Sequence, residues 1–89
     1  MNFPFKRFVV SGESMNPTLK TGGRLIVYRW GKISAGDLIV FNQYGNTLVK
    51  RVVSKNNEKL EVRGDNHSDS VDYDDVTHDL VVGKVVATY

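Results

Sequence analysis

Cysteine is absent from the 89 residues, so neither a disulfide nor a thiolate metal ligand is available, and the redox compartment stays open. Proline occurs only twice, and no Pro- or Ser-rich linker divides the chain. Apolar runs are short, and none approaches the roughly 18 residues of a membrane span. The opening MNFPFKRFVV has no long apolar stretch of a secretory leader. These absences predict a soluble, cytoplasmic protein. Charge of one sign is lacking too: 12 basic against 10 acidic side chains leave a net +2. That balance argues against nucleic acid, which usually leaves a clustered basic face.

What is present is a set of short, β-branched segments broken by turn residues. A chain of this length predicts a single domain over 1–89, of modest buried fraction and moderate stability. Strands are expected at 7–11, 24–30, 37–42, 47–54, 58–63 and 80–88. Gln43 to Thr47 and Lys55 to Glu58 read as hairpin loops. No 3.6-residue apolar stripe lasts three turns, so one or two short helical turns are the most to expect, with Pro17 suited to opening one. The fold class is mostly β, a small bent or partly closed antiparallel sheet. Asp65, Asp69, Asp72, Asp74, Asp75 and Asp79 crowd one polar stretch, which reads as a solvated loop. Within it, Asp65-x-His67-x-Asp69 lacks the glycine and distal glutamate of a calcium loop, so neither metal nor cofactor is expected. Phe3, Phe5 and Phe8 beside Lys6 and Arg7 read as core-filling or edge aromatics, with membrane contact allowed but not required.

Two segments carry chemistry. Residues 11–19, SGESMNPTL, satisfy every turn rule, yet a turn does not ask for Met15. Residues 47–53 form a strand on which Leu48, Lys50 and Val52 share one face and Thr47, Val49, Arg51 and Val53 the other. A lysine on an apolar face either snorkels, with its ammonium in water, or is held neutral by burial and can act as a general base. On the residues alone both remain open. A serine hydroxyl is a poor nucleophile without such a base. The two histidines, His67 and His78, lie in the acidic stretch and suit a surface role better than a catalytic one.

The segments together resemble the sequence boxes of type I signal peptidases. Ser14-Met15-Asn16-Pro17-Thr18-Leu19 is similar to the box that carries their nucleophile. Gly36-Asp37-Leu38-Ile39-Val40-Phe41 resembles the second box, and Lys50-Arg51-Val52 the one holding the lysine base. Gly64-Asp65-Asn66, followed by Ser70-Val71-Asp72, resembles the last. The order is that of the family, and the boxes span most of the chain.

That resemblance implies a serine endopeptidase with a signal peptidase/LexA-like catalytic core, Ser14 as nucleophile and Lys50 as its base. It also implies an oxyanion donor in the backbone N–H of Ser14. Gly12 stands where some relatives carry a second, side-chain donor. Ser70 matches the serine that orients the lysine, and Asp72 a supporting acid. The substrate, a precursor protein or peptide, is expected to lie as an extended strand against Val10, Ser11 and Glu13 on one side and Leu48 and Val49 on the other.

Small size is most like the soluble nickel-type superoxide dismutase maturation proteases, which remove a short N-terminal extension. The alternatives are a catalytic fragment of a membrane-anchored signal peptidase and a non-catalytic β module that binds extended peptides. Self-cleavage of the LexA type is not expected, because no Ala-Gly or Cys-Gly pair precedes Ser14. One departure stands out. Tyr73-Asp74 replaces the Ser-Arg that usually follows Asp72, so the two aspartates repel unless a cation such as Arg51 or Arg63 lies between them.

Overall fold

Leu38-Ile39-Val40-Phe41 shows no polar alternation, the mark of a strand covered on both faces. The computed structural model, which describes residues 3–68 and 71–89, shows how this arises. Seven strands form one open sheet: β1 (Phe5–Val9), β2 (Arg24–Tyr28), β3 (Leu38–Gln43), β4 (Asn46–Lys55), β5 (Lys59–Arg63), β6 (Tyr73–Thr77) and β7 (Val81–Thr88). Their order is β1-β2-β7-β3-β4-β5-β6, and every neighbouring pair is antiparallel.

Near the middle of the sheet, β3 feeds two cores at once. Val40, with Leu38 beside it, joins a cluster of Val10, Met15, Leu19, Leu25 and Val27. Ile39 and Phe41 join Val52, Leu60, Val62 and Val76. The alternation of side chains along a strand sends these pairs to opposite faces. The same rule splits β4, with Val49 against the first cluster and Leu48 and Val52 in the second.

The β3–β4 hairpin closes on Tyr44 and Gly45 alone, between the paired Gln43 and Asn46. Both turn residues have positive φ, 51° and 79°, the left-handed pair that matches the twist of the strands. At Gly83 the requirement is space. A Cβ there would strike the Tyr28 carbonyl oxygen and lie 2.6 Å from Val27 Cγ1, so β7 can pass β2 only without a side chain.

Several expectations need correction. The first strand covers 5–9 rather than 7–11, because Val10 turns away to donate its N–H to Gly23 O (2.8 Å) and accept from Gly22 N–H (2.9 Å). Pro17 opens no helix: residues 14–18 are turns, and the Asn16–Pro17 peptide bond is cis. Among the described residues, helical structure is a single 3₁₀ turn over His78–Leu80. The acidic stretch is not all loop, since residues 73–77 form β6 at the edge of the sheet. Val76 drives it by full burial, and Tyr73 meets Phe41 edge-on at 5.9 Å. The N-terminal aromatics divide between the two expected roles: Phe8 packs on the first cluster, and Phe5 is exposed on the edge strand β1, while Phe3 is exposed ahead of it. Phe5 rests on the Tyr28 ring at 5.3 Å.

Candidate active site

Residues 11–21, between β1 and β2, form a loop that turns at Gly12, whose φ of +86° suits glycine. Met15 anchors the loop, 1% exposed within the first cluster. Glu13 stitches it internally: its carboxylate accepts from Asn16 Nδ2 at 2.8 Å and from Thr21 Oγ1 at 3.2 Å. Thr21 Oγ1 also lies 2.7 Å from the Gly12 carbonyl, so its single proton is shared between the two acceptors. Ser14 sits half-buried in this frame.

A second loop braces the first. Asn66, past the end of β5, donates its backbone N–H to Ser14 O at 2.8 Å and its side-chain Nδ2 to Glu13 O at 2.9 Å. Asp65 N–H approaches Met15 Sδ at 3.3 Å, and Thr18 Oγ1 donates to Asp65 Oδ2. The main chain on either side of the Glu13–Ser14 peptide is therefore fixed from outside its own loop.

Asp65 ties this brace to β4. Arg51 Nε and Nη2 donate to its two oxygens at 2.9 and 2.7 Å, a bidentate pair, while Arg51 Nη1 donates to Gly36 O at 2.8 Å. The arginine hydrogen bonds hold the Asp65 carboxyl below the usual carboxylate range, and the Thr18 hydroxyl adds to that. A depressed folded-state pKa contributes stability above the unfolded value, and that stability is lost as pH falls through the folded one. The brace is thus intact at neutral pH; its contribution to stability begins to fall below about pH 4, where free aspartate titrates, and is lost as pH drops through the lower folded-state value. Asp65→Asn is expected to remove this part of the acid dependence when thermal stability is followed from pH 7 to 2. An acid limb identical to the wild type's would show that Asp65 does not contribute.

Lys50 lies on β4 one residue before Arg51, and its side chain is buried at 4% exposure. Snorkelling to water is thereby excluded. Arg51 pairs with Arg63 of β5, so the 64–66 corner leaves β5 alongside Lys50, and the same corner grips Ser14. Beyond that point the β5 ladder ends. Leu48, Val49 and Lys50 pair with Phe41, Val40 and Ile39 of β3, while the ladder to β5 starts only at Arg51. Among the described residues, the second edge of β4 at 48–50 is covered by no strand.

The other expected positions fall out differently. Val10 is buried with its N–H and carbonyl both engaged by the Gly22–Gly23 turn, whereas Ser11 and Glu13 are exposed. Asp72 is exposed and lies 3.4 Å from Arg63 Nε. Ser70 lies outside the described residues. Thr18, Arg51, Asp65 and Asn66 were not assigned these bracing roles from sequence. All four lie within the family-like boxes, which mark the segments but not the contacts between them. No group of three or more metal-ligating side chains occurs among the described residues. A hollow of about 260 Å³ lies behind the loop, lined by Thr18, Leu19, Arg24, Leu25 and Tyr89 among others, without Ser14 or Lys50.

Comparison with known proteins follows the same residues. A family model described as signal peptidase, peptidase S26, matches residues 1–79. Signal peptidase IB of Staphylococcus aureus is 38% identical over 63 residues, covering 65% of this chain and 33% of the relative. Signal peptidase I of Bacillus amyloliquefaciens is 38% identical over 72 residues, covering 72% of the chain and 36% of its own length. The chain thus spans about a third of the curated relatives it matches.

Proposed function

The chain belongs to the signal peptidase, peptidase S26, family, and on that premise we propose that it is a serine endopeptidase with Ser14 as nucleophile and Lys50 as general base. The observation that carries this reading is the buried Lys50, set beside the corner that clamps the Ser14 carbonyl. Burial disfavours the ammonium form, and a neutral amine can accept a proton.

In the proposed reaction Lys50 takes the hydroxyl proton as Ser14 Oγ bonds to the scissile carbonyl carbon. The resulting oxyanion is met by the Ser14 backbone N–H, oriented by the brace on its own peptide. Collapse breaks the C–N bond, and the Lys50 ammonium returns its proton to the departing amine. Water then adds to the acyl-enzyme, losing its proton to Lys50; the ester C–O bond breaks and the Lys50 ammonium returns that proton to Ser14 Oγ, which regenerates the serine and the neutral amine. Ser70 and Asp72 would support Lys50 and its surroundings. Substrate would enter as an extended strand on the open edge of β4 at Leu48 and Val49, facing Ser11 and Glu13. The substrate is a precursor protein trimmed near its N-terminus, with a nickel-type superoxide dismutase precursor as the first candidate.

Incubation with that precursor, with the new N-terminus read by mass spectrometry, tests the substrate and the reaction together. Cleavage at one site, absent in Ser14→Ala, is expected. The rate should rise with pH as Lys50 loses its proton; a flat profile between about pH 5 and 10 overturns its assignment as base.

A further inference from the structure

Arg63, the last residue of β5, touches three carboxylates. Its Nη1 donates to Asp74 Oδ1 at 2.7 Å, its Nε lies 3.4 Å from Asp72 Oδ2, and its Nη2 lies 3.5 Å from Glu61 Oε2. A fourth contact, Nη1 to Val62 O at 2.9 Å, fixes the guanidinium against its own strand. Glu61 shares that strand, but Asp72 and Asp74 do not. They stand where the chain returns after the 64–71 segment, at the start of β6. Arg63 therefore joins the exit of β5 to the entrance of β6 and closes the loop between them. The strand ladder leaves this junction thin, because β6 pairs through Val62↔Tyr73 and then only after a register shift, at Leu60↔Val76 and Lys59↔Thr77.

From this arrangement we propose that Arg63 is a positioning residue for the active site, a clasp that sets the 64–66 corner by holding the far end of the same loop. Asp65 and Asn66 follow Arg63 directly, and both grip the loop that carries Ser14. Asp72 and Asp74 repel one another, so without a shared cation the loop end opens and the corner loses its definition. Arg63 supplies that cation from β5. The inference rests on Ser14 being the nucleophile, and its test is arranged so that the two ideas fail separately.

The variants are Arg63→Gln and Arg63→Lys, with Lys59→Gln, an exposed cation of the same strand, as control. Two readouts are taken on the full chain: steady-state cleavage, and hydrogen exchange of the Asn66 amide, which donates to Ser14 O. Arg63→Gln is expected to lower kcat about tenfold with KM within about twofold, as a small misplacement of a reacting group does. It should also lower Asn66 protection while core amides such as those of β3 keep theirs. Arg63→Lys, a point charge without the fork, should recover part of both losses. The contacts are solvent-exposed, so 1 M salt should weaken Asn66 protection in the wild type and leave Arg63→Gln unmoved. Unchanged Asn66 exchange in Arg63→Gln overturns the clasp whatever the activity. An equal effect of Lys59→Gln, or protection lost throughout the sheet, overturns it in favour of general charge or stability. A wild type without activity, whose Asn66 exchange still responds to Arg63, overturns the peptidase reading and leaves the clasp standing.

Discussion

Lys50→Met is expected to abolish cleavage, by about 10⁴-fold or more, while shifting stability by no more than about 1 kcal/mol. Lys50 sits at 4% exposure in a row with Leu48 and Val52. A buried amine contributes poorly to folding, because its desolvation offsets what its hydrogen bonds return. Methionine matches its length and reach without the charge. The lost hydrogen bonding and the relieved desolvation then nearly cancel, and Tm moves by about 4–8 °C at most for a domain of this size.

Ser14→Ala should lose as much activity with less effect on stability, because the brace holds the carbonyl of residue 14 rather than its side chain. Groups acting as one unit are non-additive, so the double variant should fall little below either single one. Precursor cleavage measured beside thermal denaturation checks both halves. A Lys50→Met protein within tenfold of wild-type activity would end the general-base assignment. One that fails to fold would instead make Lys50 a structural residue.

Met15→Ala carries the largest expected loss of stability, about 2–5 kcal/mol. At 1% exposure Met15 is among the largest fully buried side chains, packed with Leu19, Leu25 and Val40. Domains of this size hold roughly 0.05–0.15 kcal/mol per residue, so the loss is a large share of the whole. Met15 also pins the loop to Asp65 N–H through its sulfur. Activity should therefore fall even where the variant remains folded. Met15→Leu conserves volume and should cost under about 1.5 kcal/mol. Urea titration gives the comparison, and a Met15→Ala change below about 1 kcal/mol would mean the loop is held by its hydrogen bonds alone.

Six of the seven strands were legible because their apolar residues are local and β-branched. β6 was not, since its Asp74 and Asp75 look like loop and only Tyr73 and Val76 contribute to burial. Edge strands are commonly shielded by charge in this way, which hides them from a hydrophobic pattern. At the opposite edge the sequence left two roles open. Phe5 and Phe8 read alike as core-filling or edge aromatics, and only the strand alternation separates them, with Phe5 exposed on β1 and Phe8 packed on the first cluster.

In the site, Lys50 and Arg51 were distinguishable as occupants of opposite strand faces, but which face was buried awaited Val52 and Leu60 packing together. Between Arg51 and Arg63 the cation shared by Asp72 and Asp74 was undecided. The register Arg51↔Arg63 explains the outcome, because it leaves Arg51 beside Asp65 and Arg63 beside β6. Thr18 and Asn66 stand in the family-like boxes, but their bracing contacts span about fifty positions and leave no mark in either segment.

The brace has a consequence for when the site can exist during synthesis. Its contacts join residues 47 to 53 positions apart, from Thr18–Asp65 to Glu13–Asn66. A growing chain makes Ser14 early and Asn66 much later, and contacts of such separation form only after the intervening loop closure is compensated. A nascent chain short of residue 66 has its serine but lacks the Asn66 hydrogen bonds to the Glu13 and Ser14 carbonyls. If Ser14 is the nucleophile, no cleavage is expected from a nascent chain until residue 66 has emerged and paired, a delay set by side-chain and backbone hydrogen bonds of the brace.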